Sequence, residues 1–236
     1  EMSFVTIDDI LNTLEGWTKH LFMHTLDIDL GDFPRMQYDE AMQRYGSDKP
    51  DLRFDMEFVE LNDVAQNAGF SVFDDSELVV GICAEGIADD YSNKDMKKLT
   101  EWLQRPQIGA KGLVYVKFLA DGSIKSTVGK FFDDEQLKAW GDKFSAKPGD
   151  VLFILSGEEE TTRKQLSELR LEMGRRLGLM KDGDFKPLWV IDFPLLEWDE
   201  ESERFHAMHH PFTSPKQEEI DKMLTGDHDT MKGLKA

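Results

Sequence analysis

Between residues 58 and 180 the chain alternates β-rich runs with capped amphipathic helices, and this stretch limits most strongly what the chain can fold into. Residues 78–84 and 151–155 are continuous apolar runs of strand length. Residues 113–119 and 124–130 flank Ala120-Asp121-Gly122-Ser123 and read as a hairpin around a glycine-containing turn. Ser92 with Asp95 caps a helix that carries Met96, Leu99, Trp102 and Leu103 on one face. Residues 61–69 and 134–144 read as shorter helices. Residues 161–177 form a long amphipathic helix with Leu166, Leu169, Met173 and Leu177 inward and Gly178 as its stop. A stretch of this size and pattern can fold on its own. Lys181-Asp182-Gly183-Asp184 reads as the linker that leaves it.

The flanks have a different texture. Residues 2–6 form a short strand-like run, and Thr6 with Asp9 is a capping box for a helix. Ile10, Leu11, Leu14, Trp17, Leu21 and Phe22 recur at helical spacing and are expected to face a core. A short helix is expected over 39–45, stopped by Gly46, with a turn-rich loop at 47–51. Residues 187–194 are a β-like run bounded by prolines, and 205–210 are expected to return as the second strand of a hairpin.

Charge and cysteine usage narrow the function classes. The net charge is −19. A chain this acidic lacks the clustered Lys and Arg of a free-standing nucleic-acid binder. No apolar stretch is long enough to span a membrane. The one cysteine, Cys83, cannot form an internal disulfide, which points to a reducing, cytoplasmic compartment. Cys83 lies in an apolar strand pattern without a neighbouring cation and reads as a structural thiol.

Few residues carry recognisable chemistry. His206, His209 and His210 are the densest cluster, but no second Cys or His group completes a tetrahedral metal set. Pro211 drives His210 towards extended backbone, so that His206 and His210 face one way and His209 the other. One of these rings can instead project into a pocket to bind an anion or carbonyl group. Carboxylate pairs such as Asp74-Asp75 and Asp133-Asp134 read as caps or solvated faces. Gly109-Ala110-Lys111-Gly112 reads as a tight turn, with phosphate binding as the alternative.

Several segments together resemble one family. The segment AMHHPFTSPK at 207–216 is similar to the AMHHPFT segment of bacterial-type aspartyl-tRNA synthetase, a class II enzyme. The run at 187–194 resembles the strand that precedes it there, and RYGSDKPDLR at 44–53 resembles another segment of that family. Glu1-Met2-Ser3-Phe4 looks like the tail of class II motif 2. Residues around 109–113 resemble the GAD domain inserted in the bacterial catalytic domain. These matches run in chain order over nearly all of the sequence.

The resemblance implies an α+β fold. Residues 1–57 and 181–236 would be catalytic-domain segments, after motif 2 and before motif 3, with pieces of the class II antiparallel sheet. Residues 58–180 would be the inserted α/β GAD domain, with a mainly antiparallel sheet and flanking helices. The implied activity of the parent enzyme is aspartate–tRNA ligation, using ATP and magnesium, with aspartate, ATP and tRNA as partners and a homodimeric parent. His209 would sit at the aspartate and adenylate pocket, with His210 and Glu1 as further substrate-binding candidates; His210, the second choice, is expected on an extended strand to point the other way, into packing. No catalytic residue is expected within these residues, because the motif 2 and motif 3 arginines are not among them. On this view the stretch alone is an inactive fragment, without bound cofactor or metal and at best a weak nucleic-acid binder. Two other readings compete: a free-standing binding or regulatory module derived from the synthetase, and a metallohydrolase using His206, His209 and His210.

Overall fold

The computed structural model describes residues 2–236, and Glu1 lies outside the described residues. The chain divides into two compact units. One is Ala41–Asp182; the other is formed by the residues up to Glu40 together with Gly183–Ala236.

The Ala41–Asp182 unit is built on one antiparallel sheet. Its strands are β2 (Val59–Glu60), β3 (Leu78–Ala84), β4 (Val114–Phe118), β5 (Ile124–Ser126) and β6 (Val151–Gly157), in the order β2-β3-β6-β4-β5. β3 and β6 are continuous apolar runs because both of their faces are covered. Leu78, Val80, Ile82 and Ala84 point to one core, shared with Leu99 and Leu103 of helix α5 (Asn93–Leu103) and Leu166, Leu169 and Met173 of α7 (Glu159–Arg176). Val79, Leu152 and Ile154 point to the other. That second core is closed by α3 (Asn62–Ala65), α4 (Ser71–Asp74) and α6 (Asp134–Lys143) through Ala65, Phe73 and Trp140. The result is a helix–sheet–helix sandwich. Capping boxes start α5 at Ser92–Asp95 and α6 at Asp133–Gln136.

Residues 41–57 belong to this unit, so it begins earlier than the boundary expected at residue 58. The physical reason is Arg170 of α7, which is buried and donates to the carbonyls of Asp51, Phe54, Asp55 and Met56 at 2.8–3.0 Å. Its guanidinium also lies 4.1 Å from the Phe54 ring centroid and 4.8 Å from that of Tyr45. Two shorter corrections concern local structure. The helix expected over 61–69 breaks after Ala65, and the second hairpin strand ends at Ser126 rather than at 130.

The other unit holds α1 (Ile7–Leu26), β1 (Arg35–Gln37), the start of α2 (Tyr38–Tyr45), β7 (Trp189–Ile191), β8 (Leu196–Asp199), β9 (Arg204–Ala207), α8 (Ile220–Thr225) and α9 (His228–Lys232). β1 and β7 pair in parallel, unlike the antiparallel pairs elsewhere, with Arg35 opposite Trp189. A parallel pair needs a long crossover. Here the whole Ala41–Asp182 unit lies in sequence between the two strands, so both of its flanks return to one small sheet.

Three expectations for this unit are corrected. Residues 2–6 form no strand, since no described strand lies beside them to complete a ladder. The capping box of α1 forms, but its apolar stripe is not a core face: Ile10, Leu14, Trp17 and Leu21 are exposed, Trp17 at 63%. The half-buried side is instead Leu11, Glu15, Thr18 and Phe22. It meets Trp189 through Glu15 and Phe185 through Phe22, and short two-stranded sheets offer no broader surface. Finally, the 187–194 run is not the hairpin partner of 205–210. β9 pairs with β8, Glu197 opposite His206, and ends at Ala207.

Candidate functional site

The histidine-bearing segment is positioned by backbone first. Residues 193–195 are held on two sides. Leu195 donates its N–H to the Leu234 carbonyl at 2.8 Å, and Ala236 donates to the Phe193 carbonyl at 2.9 Å. From the other side Met208 donates to the Leu195 carbonyl at 3.2 Å. Leu195 and Leu234 are buried and anchor this frame. Two ion pairs border it: Lys216 with Asp192 at 2.5 Å and Lys235 with Asp39 at 2.7 Å.

His209 follows directly on this frame. Its ring meets Phe193 edge-on, with centroids 4.9 Å apart, and Phe193 in turn packs on Tyr38 at 5.0 Å. The His209 side chain is exposed, and neither ring nitrogen has a hydrogen-bond partner among the described residues. An imidazole oriented on an aromatic edge, with its nitrogens open, is ready to donate to an anionic oxygen.

His210 departs from the expectation that it packs inward. The strand has ended at Ala207, and Thr213 N–H donates to the His210 carbonyl at 2.9 Å, closing a turn over Pro211 and Phe212. His210 is therefore exposed, and its Nδ1 accepts from the Phe212 N–H at 3.1 Å. That bond places the proton of the neutral ring on Nε2. His206 points elsewhere, with Nε2 3.1 Å from Ser202 Oγ and 3.9 Å from Asp199 Oδ2. Hydrogen bonds from Ser202 and Glu201 hold the Asp199 carboxyl below its usual range. The three histidines thus do not converge, and among the described residues no three His, Cys, Asp or Glu side chains could share a metal ion. Glu1, the remaining candidate, lies outside the described residues.

Other residues considered for chemistry have structural work. Asp133 and Asp95 cap helices, and Asp74 accepts from the Gly69 N–H at 2.9 Å. In the 109–112 turn, Ala110 N–H donates to the Leu103 carbonyl and Gln104 Nε2 to the Lys111 carbonyl. Burial, with Asp150 adding to it, pushes the Cys83 thiol up to about 12. The thiol therefore stays protonated at neutral and mildly alkaline pH. A disulfide reagent is expected to modify Cys83 only slowly in the folded chain and rapidly in urea; equal rates would contradict this burial. The contact sequence reasoning missed is Phe193, which no spacing rule joins to a histidine sixteen residues later.

A family model described as class II tRNA synthetases (D, K and N) matches residues 1–233. Curated aspartate–tRNA ligases are similar over nearly the whole chain. That of Flavobacterium psychrophilum is 53% identical over 225 residues, covering 95% of this chain. Those of Bacteroides fragilis and Porphyromonas gingivalis are 56% and 54% identical over 222 residues, covering 93%. The chain spans about 38% of the length of each of these relatives. With a family model covering all but its last three residues, this chain belongs to the class II tRNA synthetases of the D, K and N group.

Proposed function

We propose that this chain is part of an aspartate–tRNA ligase acting in the cytoplasm. The observation that carries the reading is its 53–56% identity to aspartate–tRNA ligases over 93–95% of its length. The reaction has two steps. A carboxylate oxygen of aspartate attacks the α-phosphorus of ATP, giving aspartyl-adenylate and releasing pyrophosphate. A terminal ribose hydroxyl of tRNA then attacks the carbonyl carbon of that mixed anhydride, and AMP leaves. Both steps depend on holding charged oxygens in line and neutralising them.

Within this reaction His209 binds aspartate or the adenylate by donating a hydrogen bond from an open ring nitrogen. The frame of Leu195, Leu234 and Met208, with the Phe193 edge, restricts the ring's orientation before substrate arrives. His210 has only Nε2 left for a substrate while Nδ1 accepts from Phe212, which makes it the lesser contributor. Glu1 is retained as a third substrate contact. Magnesium is usually held by one or two carboxylates together with substrate phosphates, and no step here is assigned to a metal bound by this chain.

An enzyme containing this chain is expected to exchange pyrophosphate into ATP with aspartate as the amino acid. Exchange supported by lysine or asparagine in place of aspartate would move the chain to another branch of its family.

A further inference from the structure

We propose that the cleft where β4 leaves β6 is a docking site for an extended peptide segment of a partner protein, rich in basic and apolar residues, that pairs with the free edge of β6 at Ser156. The argument begins with hydrogen-bond direction. Val79 lies opposite Ser156 in the β3–β6 register. The Val79 N–H donates to Asn62 Oδ1 at 2.9 Å, and its carbonyl accepts from the Leu61 N–H at 2.8 Å. Both groups of Val79 therefore point away from β6. In an antiparallel pair this makes Ser156 direct its own N–H and C=O towards its other neighbour.

On that side the ladder stops. β4 aligns Val114 with Ile154, a register that would bring Gly112 opposite Ser156. The chain before Val114 is instead drawn to the end of α5, by the Ala110 N–H on the Leu103 carbonyl at 3.1 Å and by Gln104 Nε2 on the Lys111 carbonyl at 2.9 Å. The backbone N–H and C=O of Ser156 consequently have no partner among the described residues.

The gap is a cleft of about 710 Å³. Phe73, Leu113, Val114 and Ile154 contribute apolar lining. Val72, which also lines it, is 55% exposed, and nearby Phe131 is 48% exposed with its ring 4.7 Å from Phe70. The rim carries Asp75, Glu77 and Glu158 against the single cation Lys111. An unpaired strand edge recruits an extended backbone, alternate apolar side chains fill the lining, and the carboxylates favour Lys or Arg on the same segment. The same carboxylates disfavour a phosphate backbone.

The test uses the full chain and the peptide Ac-Lys-Val-Lys-Val-Lys-Val-NH2, read by amide hydrogen exchange. In the free chain the Ser156 amide is expected to exchange faster than those of Leu152 and Ile154. Saturating peptide should slow it about tenfold or more, with binding that weakens as salt rises. Val72→Lys and Asp75→Lys alter exposed side chains, so β3 amide protection should stay unchanged while peptide affinity falls about tenfold. Any of four results would overturn the proposal: no binding at about 1 mM peptide, binding that leaves Ser156 exchange unaltered, affinity indifferent to both variants, or protection of Ser156 by an RNA oligonucleotide but not by the peptide.

Discussion

Replacing Arg170 by Met is expected to destabilise the Ala41–Asp182 unit by about 3–5 kcal/mol, because several backbone carbonyls lose one charged donor together and each buried acceptor left unsatisfied costs about 1–3 kcal/mol. Arg170 is 1% exposed, and its guanidinium serves four backbone carbonyls between Asp51 and Met56. Methionine fills much of the volume but donates nothing, so those carbonyls must find water or leave their positions. Two aromatic faces, Phe54 and Tyr45, lose their cation as well. Burial pulls the arginine's pKa down, while the carboxylates of Asp51 and Glu57 favour its charge. The measurement is native-state exchange of the β3 and β6 amides, which report this unit by itself. A destabilisation of that size speeds their exchange by ~10²–10⁴-fold. A change of less than about threefold would mean that the 51–56 loop does not depend on the guanidinium.

Gly46→Ala is expected to be the second large effect, about 2–4 kcal/mol, because a side chain there meets two separate penalties. Gly46 stops α2 with φ +64°. The left-handed conformation costs an L-residue about 1 kcal/mol. Its Cβ would also land on the Arg163 carbonyl oxygen and 2.8 Å from Phe58 Cε2, an overpacking of about 1–3 kcal/mol. Gly178 separates the two contributions. It has φ +63°, but an added methyl there would meet nothing within 4 Å, so Gly178→Ala should cost only the conformational share. Urea unfolding of both variants checks this. Equal losses would remove the clash with α7 from the account.

These two residues also show where the sequence is legible and where it is not. Gly46 is visible as a helix stop after an amphipathic run, and Ser92–Asp95 is visible as a capping box, because both act through neighbours in sequence. The apolar runs at β3 and β6 are legible for a similar reason, since burial on both faces leaves no polar alternation. Arg170 gives no such signal. Its acceptors lie 114–119 residues away, and a lone arginine on a helix reads as solvated. The stripe on α1 misleads in the opposite sense: helical spacing shows which side is apolar but not whether anything covers it, and Trp17 remains 63% exposed. The partner of β9 is misread from sequence because 187–194 has the stronger β pattern, although β8 is nearer in sequence and closes the shorter hairpin.

The candidate site is legible to a similar degree. His209 comes from the AMHHPFT resemblance, and its open ring nitrogens and Phe193 contact come from the fold. The inward packing expected of His210 rests on the preference of Pro211 for extended backbone before it. The turn closed by Thr213 overrides that preference and turns the ring to solvent.

The most direct test of the central reading is His209→Ala in the full-length enzyme, read by aspartate-dependent exchange of pyrophosphate into ATP. A hydrogen bond to a charged group contributes about 1.5–3 kcal/mol, so the KM for aspartate should rise ~10–100-fold while the thermal unfolding midpoint stays in place. His209→Gln, which keeps a donor, should recover part of that loss. An aspartate KM and kcat equal to those of the unaltered enzyme would contradict the account and remove His209 from the substrate pocket.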